Sequence, residues 1–526
     1  MSTKKDKFSL KDKNYMRLAI NLARARKGLT GDNPSVGCVI TKNDKICIIS
    51  NNRPEWSLTD MGINKIGAIN TPLYANSTRA DYKYIINDSE AKILFIENEE
   101  IYKKVKGLDD EIDSLEHIYS FENITNVKSW NEIIELGLIH PKKIEVEEIQ
   151  NSISENDLFT LIYTSGTTGN PKGVMLTHSN ILSQLCAIEN LLDLGINDRG
   201  ISFLPLSHIF ERMLEYYYLF KGVSIYYGSI ENIGEDLKEI QPTVMPTVPR
   251  LLEKVYDKIL TKGKSLTGFK KNMFFWALNL GLKHEYNGKN GFWYEFQLKI
   301  ANVLVFKKWR DAVGGNVRMI ISGSAALQER LARVFTAAKM PVSEGYGLTE
   351  TSPVISVNLA HSKKPCYGTV GEIIKGVKVK INHEDGMREG EGEILVKGPW
   401  ITGSYYNDER NQSSFIDGYW KSADAGSVDE NGYIKIVDRY KDLIKSGGEW
   451  ISSVDLENAI TAHPGVEEAT VIGLKHPKWE ERPLALVVKM QGEGYSSLSE
   501  EEIFQFISSK FAKWQLPDKV KFVEKI

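Results

Sequence analysis

Apolar positions follow two alternating patterns along most of the chain. Short apolar runs bounded by polar residues or glycine predict buried strands, as in Lys92–Glu97 (KILFIE), Phe159–Thr164 (FTLIYT) and Val317–Gly323 (VRMIISG). Between such runs apolar residues recur at helical spacing, and one such face holds Ile181, Leu182, Leu185, Ile188 and Leu192. Strands that alternate with helices predict a layered α/β domain.

The pattern changes after about residue 365. Short strands with frequent glycines, such as GTVGEIIKGVKVKI and EGEILVKG, predict a small β-rich subdomain. Near the end, EEATVIGL and RPLALVVKM predict two strands of a last compact α+β unit. The fold prediction is therefore α/β, with one large domain followed by a smaller one.

Composition excludes several classes of protein. The 66 basic and 69 acidic residues nearly balance, so no net field attracts nucleic acid. Four widely spaced cysteines without a C-x-x-C pair argue against a disulfide framework or zinc site, and predict a cytoplasmic protein. The charged start of the chain predicts no signal peptide. The longest apolar run, Met273–Leu282 (MFFWALNLGL), is half of a bilayer span, and a buried helix is favoured over membrane docking or an acyl path.

A loop rich in glycine and hydroxyl groups occupies Tyr163–Gly173 (YTSGTTGNPKG). It is not the Walker loop, because Pro171 stands where that motif needs its second glycine. We predict a strand–loop–helix frame in which backbone N–H groups, hydroxyls and Lys172 surround phosphate oxygens. The alternative is a simple Gly/Ser-rich surface turn.

Four further motifs follow in order: Leu204–Arg212 (LPLSHIFER), Glu344–Thr351 (EGYGLTET), Gly418–Gly426 (GYWKSADAG) and Asp438–Trp450 (DRYKDLIKSGGEW). Together with the loop they resemble the AMP-forming fatty-acid–CoA ligases of the adenylate-forming superfamily. The resemblance runs from about residue 47 to the end. It implies an adenylate-forming (AMP-binding) domain at 47–437, with its β-rich subdomain, and a small mobile C-terminal domain at 438–526.

The resemblance also implies the reaction. A fatty acid of long or medium chain length attacks the α-phosphate of ATP, and the thiol of coenzyme A then displaces AMP from the acyl-AMP. ATP, Mg²⁺ and coenzyme A are the implied cofactor and co-substrates. The expected partners are small molecules, with no nucleic acid and at most peripheral membrane contact, and a homodimer is left open.

Roles in the first half-reaction carry over by the same resemblance. Thr164 and Glu350 would hold Mg²⁺, Thr349 would contact the α-phosphate, and His208 would face the acyl carboxylate and the adenylate. The loop residues that would bind phosphate are Thr164, Ser165, Gly166, Thr167, Thr168, Gly169 and Lys172. Those that would receive the adenine and ribose are Gly323, Ser324, Gly345, Tyr346 and Gly347.

Roles in the C-terminal part carry over in the same way. Asp424 resembles the family's ribose-binding aspartate, and Arg439 would reach the ribose or a phosphate. Lys441 would be the hinge between the half-reactions, while Lys445 and Trp450 would close over the nucleotide.

Each role has a structural alternative. His208 could be a satisfied core histidine, Tyr346 a packing residue, and Asp424 the cap of a turn. The charged segment DRYKDLIK could be a solvated linker.

Three departures from the family pattern carry expectations of their own. The last residues, WQLPDKVKFVEKI, lack the Gly-Lys of the usual final segment, so we expect a C-terminal domain truncated at its end and a slower adenylation step. Residues 13–46 resemble the start of the riboflavin-pathway pyrimidine deaminase without its H-x-E or P-C-x-x-C ligands, which predicts a foreign segment at 1–46 without deaminase chemistry. Ala423 stands where the family has glycine and restricts the backbone.

The sequence leaves two further functions open. One is an acyl-AMP-forming ligase with an acceptor other than coenzyme A. The other is a chimeric or truncated remnant that binds nucleotide without full turnover.

Overall fold

The computed structural model describes residues 43–164, 170–362, 364–383, 386–490 and 498–526. The predictions for the deaminase-like segment up to residue 42 and for Ser165–Gly169 lie outside these residues. The chain divides into two compact units. The first covers the described residues up to Pro365 with Ile374–Gly376 and Gly398–Ser413, and the second covers Cys366–Ile373, Val377–Lys397 and Ser414–Ile526. The domain bounds drawn from the sequence stay a prediction.

The first unit contains an eight-stranded sheet in the order β17-β7-β6-β2-β1-β3-β4-β5 within the described ranges. Its strands are β1 (Lys45–Ile49), β2 (Ile69–Leu73), β3 (Ala91–Ile96), β4 (His117–Ser120), β5 (Lys128–Ser129), β6 (Leu158–Thr164), β7 (Lys172–Thr177) and β17 (Tyr405–Tyr406). Strand β1 is apolar from Ile46 to Ile49 because Ile46 and Ile48 pack in one core cluster while Cys47 and Ile49 pack in another. Such burial on both faces is typical of a parallel sheet covered by helices.

A second sheet of the same unit has the order β13-β12-β11-β10-β8-β9. Its strands are β8 (Arg199–Ser202), β9 (Ser224–Tyr227), β10 (Val244–Thr247), β11 (Met319–Ser322), β12 (Val342–Gly347) and β13 (Val354–Asn358). The short strand β14 (Glu372–Ile373) belongs to the second unit. Strands β8, β10, β11 and β12 run parallel, and β13 is antiparallel to β12.

Helices surround these sheets. They are α1 (Pro54–Lys65), α2 (Arg79–Asp88), α3 (Glu99–Val105), α4 (Leu108–Glu111), α5 (Trp130–Ile139), α6 (Lys143–Ser152), α7 (His178–Ile188), α8 (Ile209–Lys221), α9 (Ile233–Ile240), α10 (Pro249–Lys264), α11 (Gly268–Leu282), α12 (Phe292–Ala301), a π-helical segment (Asn302–Phe306), α13 (Lys307–Ala312) and α14 (Glu329–Ala337). The apolar run in α11 is a core element, since Phe274, Ala277 and Leu278 are buried. In the ranges given above, no helix is both long and apolar enough to cross a bilayer.

The second unit contains two smaller sheets and two helices within its described residues. The first sheet holds β15 (Lys378–Asn382), β16 (Glu391–Lys397), β18 (Phe415–Ile416), β19 (Tyr419–Val428) and β20 (Ile434–Arg439). The other elements are β21 (Ile444–Ser446), β22 (Glu449–Ile451), α15 (Ser453–Thr461), β23 (Val466–His476), β24 (Glu480–Lys489), α16 (Glu500–Ile507) and β25 (Lys519–Phe522). The predicted α/β class, with a large unit and a smaller one, is confirmed.

Candidate active site

The phosphate loop joins two antiparallel strands. Thr164 at the end of β6 lies opposite Lys172 at the start of β7. The predicted strand–loop–helix frame is therefore wrong, because α7 begins only at His178. Val174 and Leu176 are buried while Met175 is partly exposed, and this alternation makes the segment a strand. Its donors must come from the loop and Lys172, not from a helix N-terminus.

Several predicted residues follow the carboxyl ends of parallel strands. His208 follows β8, the Gly323-Ser324 turn follows β11, and Glu350 follows β12. Because these strands are parallel, their carboxyl ends meet at one edge of the second sheet, where α/β enzymes bind ligands. The fold therefore brings together, at one edge, residues that are spread over about 150 positions of the sequence.

Asn52 joins the two sheets at this edge. It follows the carboxyl end of β1, and its Nδ2 donates to Ser202 Oγ at 2.9 Å and to the Leu204 carbonyl at 2.7 Å. The backbone N–H of Leu206 donates to its Oδ1 at 3.1 Å. One amide side chain therefore holds the LPLSH segment against the first sheet.

His208 is the N-cap of α8. Its Nδ1 accepts the backbone N–H of Phe210 at 3.1 Å, so the ring proton of neutral His208 lies on Nε2. Burial lowers the pKa of His208, which keeps the imidazole neutral at neutral pH. A Cβ added at Gly323 would lie 3.3 Å from the Phe210 ring, so the Gly323 turn packs beside this cap. The site therefore offers a neutral Nε2–H donor.

Four residues after His208, a buried ion pair anchors α8. Arg212 Nη2 lies 2.5 Å from Asp60 Oδ1, and Nη1 donates to Thr160 Oγ1 at 2.7 Å. Thr160 belongs to β6, four residues before Thr164. The network thus ties the helix that carries His208 to the strand that leads into the phosphate loop.

The turn that carries Glu350 is attached to β7. The backbone N–H of Thr402 donates to the Glu350 carbonyl at 2.7 Å, and Thr402 Oγ1 donates to the Met175 carbonyl at 2.8 Å. The Glu350 side chain is buried, and its Oε1 accepts the hydroxyl of Tyr405 at 3.0 Å. Its carboxylate is thereby oriented before any ligand binds.

Tyr405 contacts two predicted site residues at once. While its hydroxyl donates to Glu350, its ring lies 4.7 Å from Lys172 Nζ. Tyr405 is buried on β17, which pairs with β7 through Val174. A single side chain therefore contacts both Lys172 and the Glu350 carboxylate and positions them relative to each other.

Strand β12 presents the EGYG segment with alternating faces. A Cβ added at Gly347 would lie 1.6 Å from the Pro353 carbonyl oxygen, so only glycine fits there. Tyr346 and Glu344 share the other face by the period of a strand, and both are buried. Burial, with a smaller contribution from the Glu329 carboxylate, raises the pKa of Glu344 to about 8. Glu344 is thus a titratable group that the sequence prediction did not include.

In the second unit, Asp424 and Arg439 face each other on β19 and β20. Arg439 Nη1 lies 2.5 Å from Asp424 Oδ1. Asp424 lies within a strand, so the alternative of a turn cap is wrong. Ala423 has a φ of 57°, in the left-handed region that favours glycine.

Three more predicted residues of the second unit share one cleft. Lys441, Lys445 and Trp450 line an open cleft of about 700 Å³ together with Lys475. Lys445 Nζ lies 5.5 Å from the Trp450 ring and 3.8 Å from Glu480 Oε2. Glu480 and Glu481 line the same cleft, so its three lysines exceed its two carboxylates by one charge.

Comparison with known proteins decides the family. The model described as "AMP-binding enzyme" matches residues 37–406, and that described as "AMP-binding enzyme C-terminal domain" matches residues 455–526. The chain belongs to the AMP-binding enzyme family. Long chain acyl-CoA synthetase 3 of Arabidopsis thaliana is 32% identical over 82% of this chain and 68% of its own length. The long-chain-fatty-acid–CoA ligase of Thermus thermophilus is 32% identical over 84% and 75%.

Solved structures have the same fold as this AMP-binding enzyme. The anthranilate CoA ligase AuaEII in complex with anthranoyl-AMP superimposes with a TM-score of 0.72 at 22% identity, covering 97% of this chain and 87% of its own. ATP-bound MatB from Rhodopseudomonas palustris gives 0.69 at 22% identity, covering 99% and 91%. The predicted membership of the adenylate-forming ligases is confirmed.

The residues of this AMP-binding enzyme fit a magnesium ion. Mg²⁺ prefers carboxylate and hydroxyl oxygens and usually takes one or two protein ligands besides substrate phosphate. Glu350 supplies a buried carboxylate next to β7, and Thr164 supplies a hydroxyl at the end of β6, the strand that precedes the loop. In the described ranges no three His, Cys, Asp or Glu side chains form a metal cluster.

Sequence reasoning missed Asn52, Thr402 and Tyr405 in this AMP-binding enzyme. None of the three side chains carries a charge, and each acts by orienting another residue. The segment GPWITGSYY did carry a weak signal, because two adjacent tyrosines follow a glycine-rich turn before an Asn-Asp pair. Their role depends on strand pairing with β7, which no local pattern encodes.

Proposed function

We propose that this AMP-binding enzyme is a fatty-acid–CoA ligase that uses ATP, Mg²⁺ and coenzyme A. The observation that carries the proposal is the Lys172–Tyr405–Glu350 group, which holds a cation and an oriented carboxylate at the phosphate loop. Relatives at about a third identity with fatty-acid ligase names support the substrate class.

In the first half-reaction, a carboxylate oxygen of the fatty acid forms a bond to the α-phosphorus of ATP, and the bond from that phosphorus to the bridging oxygen breaks. Pyrophosphate leaves, and acyl-AMP remains. Lys172 and the loop Ser165–Gly169 bind the β- and γ-phosphates, while Thr349 donates its hydroxyl to the α-phosphate. Glu350 and Thr164 would hold Mg²⁺, which would supply positive charge to the phosphate oxygens when bound.

His208 has a distinct part in this step. Its neutral Nε2–H donates a hydrogen bond to the acyl carboxylate or the adenylate without adding a fixed cation to the site. Tyr346 and the backbone at Gly323, Ser324, Gly345 and Gly347 receive the adenine and ribose.

In the second half-reaction, the sulfur of coenzyme A forms a bond to the acyl carbon, and the bond from that carbon to the phosphate oxygen breaks. AMP leaves with the electron pair, and the thiol proton passes to solvent. Asp424 accepts two ribose hydroxyls and Arg439 contacts ribose or phosphate. Lys441 acts as the hinge, and Lys445 and Trp450 cover the nucleotide.

We also propose a cytoplasmic location, supported by the cysteine spacing in the sequence. The homodimer stays a proposal that rests on family resemblance. Peripheral membrane contact also stays a proposal.

The decisive experiment measures AMP release and thioester formation from ATP, Mg²⁺, coenzyme A and fatty acids of medium and long chain. We expect both products, and roughly a 10²- to 10³-fold loss of rate in Glu350→Gln. Glu99→Gln, an exposed carboxylate paired only with Lys103, is the matched control. Adenylate without thioester would favour a ligase with another acceptor, and AMP binding without either product would favour a remnant.

A second variant distinguishes the two interpretations of His208. His208→Asn keeps a side chain that caps α8 but removes the imidazole. If His208 contacts the adenylate, kcat falls about 10²-fold while the unfolding midpoint stays the same. A histidine that only caps the helix would leave kcat unchanged in this variant. Supplying ready-made acyl-AMP to the same variant shows which half-reaction is affected.

A further inference from the structure

An exposed apolar stripe runs along α12 and the π-helical segment of the first unit. Phe292 is 84% exposed, Trp293 69% and Val303 70%. Phe296, Ile300 and Leu304 lie on the same side at helical spacing and are also exposed. We call these six residues the aromatic face.

The helix is apolar on its opposite side as well. Leu298 and Ala301 are buried, as are Val305 and Phe306 in the π-helical segment. This inner side explains how the helix packs in the fold. The outer side is open to solvent, and soluble proteins rarely expose so large an apolar patch without a partner.

The neighbouring helix α11 extends the aromatic face at one end. Trp276 Nε1 donates to Gln297 Oε1 at 3.3 Å, and the hydroxyl of Tyr294 donates to the Leu280 carbonyl at 2.6 Å. These two bonds make α11 and α12 antiparallel. The start of α11, where Phe269 is 79% exposed, therefore lies toward the π-helical segment.

Lysines surround this apolar surface. Lys270 and Lys271 follow Phe269, Lys307 and Lys308 follow the π-helical segment, and Lys299 lies on α12, all exposed. Carboxylates are fewer on these elements: Glu295 is half-buried and Asp311 is exposed. The face is thus locally basic although the whole chain has a formal net charge of −3.

The side chains have the chemistry of a lipid interface. The Trp293 and Phe296 rings stack with centroids 5.5 Å apart, forming a flat aromatic plate at the surface. Aromatic rings favour the boundary between headgroups and acyl chains, and lysines keep their ammonium groups at the lipid phosphates. We propose that the aromatic face docks on an anionic lipid bilayer.

A second copy of the chain fits this surface less well. Two copies packed face to face across a twofold axis would bring the same lysines together, and like charges oppose such contact. An anionic bilayer instead matches both the apolar stripe and its basic rim. The proposal concerns a surface outside the reaction site, so it does not depend on which acid the enzyme activates.

The test is co-sedimentation of the full chain, without substrates, with vesicles of phosphatidylcholine alone or mixed equally with phosphatidylglycerol. We expect binding to the mixed vesicles that weakens with added salt. The double variant Trp293→Ala/Phe296→Ala should bind about tenfold more weakly or less. Trp479→Ala removes an exposed tryptophan of the second unit and should bind as the wild type does.

A second pair of substitutions tests the charge separately. Lys307→Gln/Lys308→Gln should weaken binding to anionic vesicles by roughly fivefold for each lysine and leave binding to neutral vesicles unchanged. Both lysines are exposed, so this variant remains informative if the aromatic double variant fails to fold.

Two results would overturn the proposal. One is a wild-type chain that stays in the supernatant with mixed vesicles. The other is a dimer, detected by light scattering, that dissociates in Trp293→Ala/Phe296→Ala while vesicle binding is absent, since this would identify a second copy as the occupant. Neither result affects the ligase assay, so the two proposals fail independently.

Discussion

Two arginine–aspartate pairs with equal N–O distances of 2.5 Å lie in very different surroundings. In the first unit, the side chains of Arg212 and Asp60 are 0% and 1% exposed. In the second unit, those of Arg439 and Asp424 are 49% and 5% exposed. The same contact therefore stabilises the folded state to different extents, because water competes for the Arg439 guanidinium and not for that of Arg212.

The buried pair is surrounded by further partners. Tyr216 donates its hydroxyl to Asp60 Oδ2 at 2.5 Å, and Asn70 Nδ2 donates to Oδ1 at 2.7 Å. Thr160 accepts from Arg212. This network ties α8 to β6. The second pair can separate, because the Arg439 guanidinium already contacts water and the Asp424 carboxylate can then accept sugar hydroxyls.

The largest expected effect is the loss of stability when the buried arginine is replaced, compared with the same replacement of the half-exposed one. Arg212→Met leaves the Asp60 carboxylate buried without its cation, and we expect unfolding free energy to fall by about 3–5 kcal/mol. Arg439→Met removes a half-exposed partner and should cost about 1 kcal/mol or less. Urea unfolding, with hydrogen exchange of the α8 amides, measures both. Equal losses would mean that the two surroundings do not differ in the way the geometry indicates.

Next in size is the loss of nucleotide affinity in Asp424→Asn. Hydrogen bonds to a charged carboxylate contribute about 1.5–3 kcal/mol each, so the Kd for AMP should rise roughly 10- to 100-fold. Stability should change little, because the half-exposed Arg439 guanidinium can turn to solvent when the Asp424 charge is removed. Titration calorimetry measures the affinity, and Glu430→Gln, an exposed carboxylate of the same unit, is the control. Unchanged affinity would assign Asp424 a structural role like that of Asp60.

A pH effect should appear near the buried pair. Glu211 precedes Arg212 on α8. Burial raises the pKa of Glu211 well above the ordinary value of 4.5, and the Glu215 carboxylate raises it further. A raised pKa means that the folded state holds the proton more tightly, so stability falls as pH rises above 4.5. We expect a decrease on the order of 1–2 kcal/mol between about pH 5 and 7 that Glu211→Gln removes.

Urea unfolding at a series of pH values checks this slope. The matched control is again Glu430→Gln in the second unit, which should keep the wild-type slope. A slope that persists in Glu211→Gln would place its origin in another buried acid, and Glu344→Gln would then be the variant to compare.

The smallest expected effect lies beside the exposed pair. Ala423 adopts a φ of 57°, which costs an alanine about 1–2 kcal/mol, while glycine would lose about 0.5–1 kcal/mol in chain entropy. Ala423→Gly should therefore stabilise the second unit by about 0.5–1 kcal/mol. Thermal unfolding measures it. A destabilised variant would mean that the Ala423 methyl group makes a contact worth more than the strain.

Much of the fold followed from local patterns. The apolar runs at Lys92–Glu97 and Phe159–Thr164 are the strands β3 and β6, within a residue or two. Their prediction succeeded because burial on both faces leaves a continuous apolar run. The prediction failed for the segment after the phosphate loop, where a helix was expected. KGVMLT is too short for the spacing of its apolar residues to distinguish a strand from a helix, and only pairing with β6 and β17 makes it a strand.

By itself the sequence determined the order of the motifs, the phosphate-binding composition of the loop and the family to which the chain belongs. These depend on residues close together in the chain. Tertiary structure alone decided that Tyr405 contacts Lys172 and Glu350, that Asn52 joins two sheets, and that Arg212 is buried while Arg439 is not. The physical reason is that orientation, burial and charge pairing arise between separate segments of the chain, 55 residues apart for Tyr405 and Glu350 and 152 for Arg212 and Asp60, where no local period carries the information.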